Sequence, residues 1–284
     1  MKPSAFEYLA PESCDEALAA LAEHGDDAAV LAGGQSLIPM MNLRIAAPPV
    51  VIDIMRIGEL RTIDRGEDWI EIGAGIRMAQ AERESGVPLI ERALQHVGHS
   101  AIRNAGTVCG SIAHADPAAE LPAVLLALDG EVVLRSARGR RTVAADEFFN
   151  SYFTTAREPD ELVVAVRIPA TRRRVAFLEV TPRLGGSTGE FATVAVAAAA
   201  GRDDAGHLTS VSLAFAGVAE RAIRAREAEA ILVGAEPTRD AIADAAERAA
   251  GETDPPADVH AGPEYRRRLV RALTRRALEE LASP

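Results

Sequence analysis

The apolar residues of this chain come in short runs, among them Ala29-Val30-Leu31-Ala32, Val50-Val51-Ile52-Asp53-Ile54, Trp69-Ile70-Glu71-Ile72 and Glu131-Val132-Val133-Leu134, each closed soon after by glycine, proline or charge. Runs of this length make strands, and none approaches the roughly 20 residues that a membrane-spanning helix requires. The chain must fold from many short elements around a core, which 284 residues with 48% hydrophobic content can bury. Nothing at the N-terminus reads as a secretion signal, because Lys2-Pro3-Ser4 leads into Glu7 and Pro11; the expectation is a cytoplasmic chain with no membrane span.

Three regions follow from the patterning. In residues 1–57, Ser13 and Glu16 form a capping-box pattern, and Ala17, Leu18, Leu21 and Ala22 continue one helical face until Gly25. The spacing predicts a helix over 14–24, and with strands near 29–32 and 50–54 it makes a small β-α-β unit. In residues 58–172 the strands alternate with helices expected near 77–84, 88–97 and 117–128. Residues 173–284 open after Arg172-Arg173-Arg174 with a strand near 175–180, a polar loop over 182–190 and an apolar stretch over 193–200. Two helices, near 238–250 and 264–281, close the chain. The fold class is α+β, with no internal repeat.

Composition removes several functions. A net charge of -11 argues against a nucleic-acid surface, whose affinity comes from clustered positive charge. Cys14 and Cys109 are the only cysteines, whereas a single iron–sulfur cluster held in the usual way needs about four. Lys2 is the one lysine, so no internal Schiff base is available. No H-E-x-x-H pair and no close cysteine pair is present, so no metal site is expected.

Two glycine loops remain. Gly33-Gly34-Gln35-Ser36 ends a strand, where a turn without Cβ atoms lets successive N–H groups face one anionic oxygen; an ordinary strand-ending turn is the alternative. The second loop runs from Arg103 through Gly106, Thr107, Cys109 and Gly110 to Ser111, followed by a helix start at Asp116-Pro117. Either loop alone is a weak signal. Together they fit one elongated phosphate-bearing cofactor, held mostly by backbone and hydroxyl donors. Gly73-Ala74-Gly75 is no dinucleotide fingerprint, because Met78 stands where its third glycine belongs, and no Walker-type Gly-Lys-Ser/Thr occurs. His114, Asp116 and Glu120 read as phosphate-loop or capping residues ahead of a metal cluster. His96 and His99 read as surface or hinge residues, and Cys109 as a small buried filler. Arg266-Arg267-Arg268 and Arg275-Arg276 read as the solvated face of a helix whose stripe is Leu269, Leu273 and Leu281.

At these loops the chain resembles the FAD-binding medium subunit of the xanthine dehydrogenase and carbon monoxide dehydrogenase family of molybdenum hydroxylases. Residues 31–39 (LAGGQSLIP) and Ile102 through Ala123 (IRNAGTVCGSIAHADPAAELPA) carry the likeness, supported by Gly189-Glu190-Phe191-Ala192 and Pro263-Glu264-Tyr265-Arg266-Arg267. The resemblance implies a vanillyl-alcohol-oxidase-like (PCMH-type) FAD domain of two α/β subdomains and a smaller α+β C-terminal domain. It implies non-covalent FAD held by Leu31, Ala32, Gly33, Gly34, Gln35, Ser36, Leu37, Thr107, Gly110 and Ser111 around the pyrophosphate and neighbouring sugar, with Ile102 and His114 in the same motif. Glu120 would reach a ribityl or ribose hydroxyl, Val163 would pack on one face of the isoalloxazine and Phe191 would lie near the ring. No catalytic side chain is expected. Partners implied are a small [2Fe-2S] subunit and a large molybdenum-cofactor (molybdopterin) subunit, in a dimer of heterotrimers.

The chain departs from the family pattern at Cys109, where many members have glycine, and at Leu178, where some place a lysine near the ring. With a longer loop over 181–189, these changes leave the acceptor open among NAD, a quinone and oxygen. A stand-alone oxidase of the vanillyl-alcohol type and a non-catalytic nucleotide-binding module are the other two classes.

Overall fold

The computed structural model describes residues 2–171, 173–182 and 190–283, so Arg172, Gly189 and most of the 181–189 loop singled out above lie outside the described residues. The first unit runs β1 (Glu7–Leu9), α1 (Cys14–His24), β2 (Ala28–Leu31), α2 (Leu37–Asn42) and β3 (Val50–Asp53), with a parallel sheet in the order β1-β3-β2. Strand β1 extends the expected β-α-β unit by one strand. Helix α1 starts as its sequence dictates: Ser13 Oγ accepts the Glu16 N–H at 3.3 Å, and the Glu16 carboxylate accepts the Glu12 N–H at 2.9 Å. It stops at Gly25, whose φ of 51° suits glycine.

The second unit is an antiparallel sheet built from β4 (Ile63–Arg65), β5 (Trp69–Gly73), β6 (Glu131–Ser136), β7 (Gly139–Ala144) and β10 (Leu162–Pro169), in the order β4-β5-β10-β6-β7. Trp69 on β5 lies 4.6 Å beneath the Arg167 guanidinium of β10. Between β5 and β6 the chain makes α3 (Met78–Glu84), α4 (Pro88–Leu94), α5 (Ser100–Ala105), α6 (Val108–His114) and α7 (Glu120–Ala127). Between β7 and β10 lie α8 (Ala145–Phe148) and the small pair β8 (Phe149–Ser151) and β9 (Thr154–Thr155).

Two expectations need correction here. The stretch 103–111 is no long loop: α5 and α6 fill most of it, leaving Gly106-Thr107 as the junction. Thr107 makes this possible, since its Oγ1 caps α6 by accepting the Gly110 N–H at 3.0 Å. Helix α7 begins at Glu120 and not at Asp116-Pro117, because Asp116 Oδ1 accepts the Ala118 N–H at 2.9 Å and closes a separate turn first.

The third unit pairs β11 (Arg174–Val180), β12 (Val194–Arg202), β13 (Leu208–Ala216) and β14 (Ile223–Arg224) antiparallel in that order, with α9 (Arg226–Leu232), α10 (Arg239–Gly251) and α11 (Pro263–Ala282). Strand alternation divides the buried residues between two cores. Val194, Val196 and Ala198 of β12 join Val270, Leu273 and Leu278 of α11 on one side, whereas Ala195, Ala197, Ala214 and Ala216 face the first two units. Against this alanine face packs α7, whose eight residues are all buried.

Arg266 is the third correction. It is 3% exposed, and it donates to the carbonyl oxygens of Thr193 and Gly217 and pairs with Asp258. It stands four residues before Val270 and seven before Leu273, so the helical phase turns it inward.

Candidate functional site

The two glycine turns meet. A Cβ on Gly33 would overlap the Ala105 carbonyl oxygen and the Gly106 Cα, so only glycine lets the end of β2 touch the junction between α5 and α6. A Cβ on Gly110 would stand 3.8 Å from that of Ala32 and 2.7 Å from Thr107 Oγ1. Gly34, at φ 71°, then turns the chain into α2. The junction itself is pinned from the second unit by Met78 N–H to the Gly106 carbonyl at 2.8 Å and by Arg77 Nη1 to the Asn104 carbonyl at 2.9 Å. Among the described residues no acceptor takes the successive backbone N–H groups of Gly34, Gln35 and Ser36. Donors in series beside a helix start are the arrangement that binds an anion.

At the far end of α6 a cavity of about 560 Å³ opens between the second and third units. Asp116, Tyr152, Phe153 and Phe191 line it, with Arg266 and Asp258 on the third-unit side. Tyr152, Phe153 and Phe191 are 49%, 55% and 56% exposed, which puts three large aromatic faces around one space. Phe153 has a φ of 52°, a strained value for a bulky residue; its N–H meets the Ala115 carbonyl at 3.3 Å and its ring lies 5.0 Å from that of His114.

Of the expected cofactor residues, Ala32, Gly33 and Gln35 thus approach Gly106 and Gly110 along one seam, with Leu31, Gly34, Ser36 and Leu37 adjoining in sequence on one side and Thr107 and Ser111 on the other. The Gly110 N–H is already taken by Thr107, so what Gly110 offers is its missing side chain. Ile102 is part of α5, its carbonyl accepting the Gly106 N–H at 2.7 Å. His114 is half-buried, and burial holds its imidazole below the usual value against the pull of Asp116. Phe191 alone of the expected site residues lines the cavity. Val163, 5% exposed in β10, belongs to the packed core. Leu178 packs toward the third unit's own core, whereas its neighbour Glu179 lies on the opposite face of the strand. His96, expected at the surface, is half-buried with its ring 5.1 Å from Phe177.

Glu120 is the one ionisable residue of a buried helix, and burial pushes its carboxyl up to about 7. Sequence reasoning missed Glu179, pushed up to about 8 by burial and by the charge of Glu120. Its signal was the strand alternation that places it in phase with Val175 and Phe177. Both thiols are buried and raised by that burial, Cys14 to about 11 and Cys109 to about 12, so neither is available as a thiolate.

Residues 4–171 match the family described as the FAD binding domain in molybdopterin dehydrogenase, and residues 183–281 match the CO dehydrogenase flavoprotein C-terminal domain. The chain belongs to the molybdopterin dehydrogenase flavoprotein family. This flavoprotein is 37% identical to the 6-hydroxypseudooxynicotine dehydrogenase complex subunit alpha of Paenarthrobacter nicotinovorans, over 98% of this chain and 95% of the relative. It is 35% identical to the carbon monoxide dehydrogenase medium chain of Hydrogenophaga pseudoflava, over 98% and 97%. The solved carbon monoxide dehydrogenase of Hydrogenophaga pseudoflava superposes with a TM-score of 0.95 at 36% identity, covering 99% of this chain and 98% of that one. Quinoline 2-oxidoreductase from Pseudomonas putida 86 gives a TM-score of 0.92 at 33% identity, with 99% and 98% covered. The PCMH-type FAD domain followed by a C-terminal domain is the architecture of this flavoprotein.

Proposed function

We infer that this flavoprotein is the FAD-binding electron-transfer subunit of a molybdenum-dependent hydroxylase. It passes electrons from the [2Fe-2S] clusters of a partner subunit to a final acceptor. The observation that carries the reading is the seam: the Gly33 and Gly106 turns in contact, with the N–H groups of Gly34, Gln35 and Ser36 beside it meeting no acceptor among the described residues. These residues fit a pyrophosphate, with Thr107 and Ser111 as hydroxyl donors. Glu120 is left to accept from a sugar hydroxyl. Phe191 and the aromatic cavity would receive the ring, and the buried alanine face behind α7 keeps water from that side.

Bound FAD supplies the redox chemistry itself, so no side chain of this chain need act as an acid, base or nucleophile. The molybdenum cofactor and the clusters belong, on this reading, to a large and a small partner subunit in a dimer of heterotrimers. Two buried, protonated thiols suit that division, since a cluster requires thiolates.

Reconstitution of the purified chain tests the assignment. It should bind about one FAD, release all of it into the supernatant on acid precipitation, and bleach at once with dithionite. Reduction by an organic substrate should require the partner subunits. A yellow acid pellet, or rapid anaerobic bleaching of the lone chain by an alcohol, phenol or aldehyde, would favour the stand-alone oxidase instead.

A further inference from the structure

Among the described residues four that are not glycine stand at positive φ, and two of them meet. Ala115, at φ 52°, ends α6, and its carbonyl oxygen accepts the N–H of Phe153, also at φ 52°, at 3.3 Å. Phe153 is the second residue of the two-residue turn between β8 and β9, where a positive φ calls for glycine or asparagine. A bulky residue held there is strained, and such strain persists only where the surroundings over-determine it. Here they do. Phe148 and Phe149 are buried edge to face at the root of the hairpin. Ser151 Oγ donates to the Glu220 carboxylate at 3.0 Å, and Thr154 Oγ1 donates to the Tyr152 carbonyl at 2.9 Å.

Core packing does not account for the strain. Phe153 is 55% exposed and Tyr152 beside it 49%, so apart from the contact with the His114 ring the side chain gains little from the fold that its backbone distorts. What the hairpin does is hold both rings at the wall of the 560 Å³ cavity, to which the third unit brings Phe191. A space of this size faced by aromatic rings suits a flat ring system, which stacks on them. Half-exposed faces are also within reach of a ligand that comes and goes.

We propose that Tyr152 and Phe153 are the platform for the final electron acceptor, a diffusible molecule whose planar, electron-poor ring stacks on them beside the flavin ring. This rests on the reading that the chain binds FAD with its ring in the same cavity. Two sources supply such a ring. A quinone accepts two electrons and two protons from reduced flavin and leaves as the hydroquinone; a nicotinamide accepts a hydride, and the second proton goes to solvent.

An oxidised acceptor does not react with oxidised flavin, so its binding can be measured without turnover. The full chain, saturated with FAD, is titrated calorimetrically with menadione in one arm and NAD in the other, beside Phe153→Asn and Phe153→Tyr, and the thermal midpoint of each unliganded chain is recorded. At least one ligand should bind the wild type, and which one names the source of the ring. Phe153→Asn should bind that ligand about tenfold more weakly, the loss of one stacked aromatic pair, yet melt no lower than the wild type, because asparagine accepts a positive φ. Phe153→Tyr should keep the affinity. Binding of neither ligand, an affinity unchanged in Phe153→Asn, or a lower midpoint in that variant, the mark of a structural prop, would overturn the proposal. Failure of the flavin reading shows earlier and separately: the chain takes up no FAD, and this proposal falls with it.

Discussion

Gly33 shows how much can rest on a missing Cβ. In Gly33→Ala the new methyl group must displace the Ala105–Gly106 backbone, which no side-chain rotation can avoid. Overpacking of this kind costs about 1–3 kcal/mol, and urea denaturation should show a lower midpoint with an unchanged slope. Because the shift falls on the turn proposed to hold the pyrophosphate, FAD affinity should weaken by more than stability alone accounts for. Gly110→Ala should be milder, since its Cβ meets the movable Thr107 Oγ1; loss of that cap costs about 1 kcal/mol. At the two cysteines the expected behaviour is inertness. With Cys14 and Cys109 raised to about 11 and about 12, iodoacetamide at neutral pH should leave both unmodified until denaturant exposes them. Rapid labelling of the folded chain would show that the thiols are accessible. The seam residues were legible in the sequence only as a pair, because a single glycine turn after a strand reads equally as an ordinary strand ending. Glu179 was not, because an acidic residue in a strand signals exposure until the strand's two faces are both known to be buried.

At the level of elements, legibility followed the strength of the period. Helices α1, α10 and α11 carry long or capped patterns and stand where the spacing puts them, and the apolar stretch over 193–200 forms most of strand β12. The three-residue β1 and the short β8 and β9 are too brief to show any alternation, and pairing with neighbours alone makes them strands. Helix α6 was read as loop because its cap is a threonine followed by Val108, Cys109 and Gly110, with no Glu or Gln to complete a capping box. Within α11, three consecutive arginines look alike in sequence, yet helical phase selects Arg266 for the interior, where it ties α11 to the carbonyl groups ahead of β12 and after β13. Arg266→Met should leave two buried carbonyl oxygens and Asp258 without their donor, at a cost of about 3 kcal/mol. Arg266→Lys should recover little of this, because one ammonium cannot reproduce the planar fork. Equal stability of Arg266→Met and the wild type by urea denaturation would rule the tie out as a stabilising element.

Across the whole molecule the buried apolar cluster of the first two units continues into the third through Phe177, Ala195, Ala197, Ala214 and Ala216. Alanine on the sheet face lets α7 approach closely, and neither side could keep its core dry without the other. Calorimetry should give one transition coincident with loss of far-ultraviolet circular dichroism, despite the two family matches along the chain; two resolved transitions would show that the units are energetically separate. The chain holds a single tryptophan, Trp69, fixed on β5 beneath Arg167 in the second unit. An indole emits where oxidised flavin absorbs. The protein is thus a ruler with one light source, in which the excited-state lifetime of Trp69 reports a single donor-to-flavin separation and needs no label to do so.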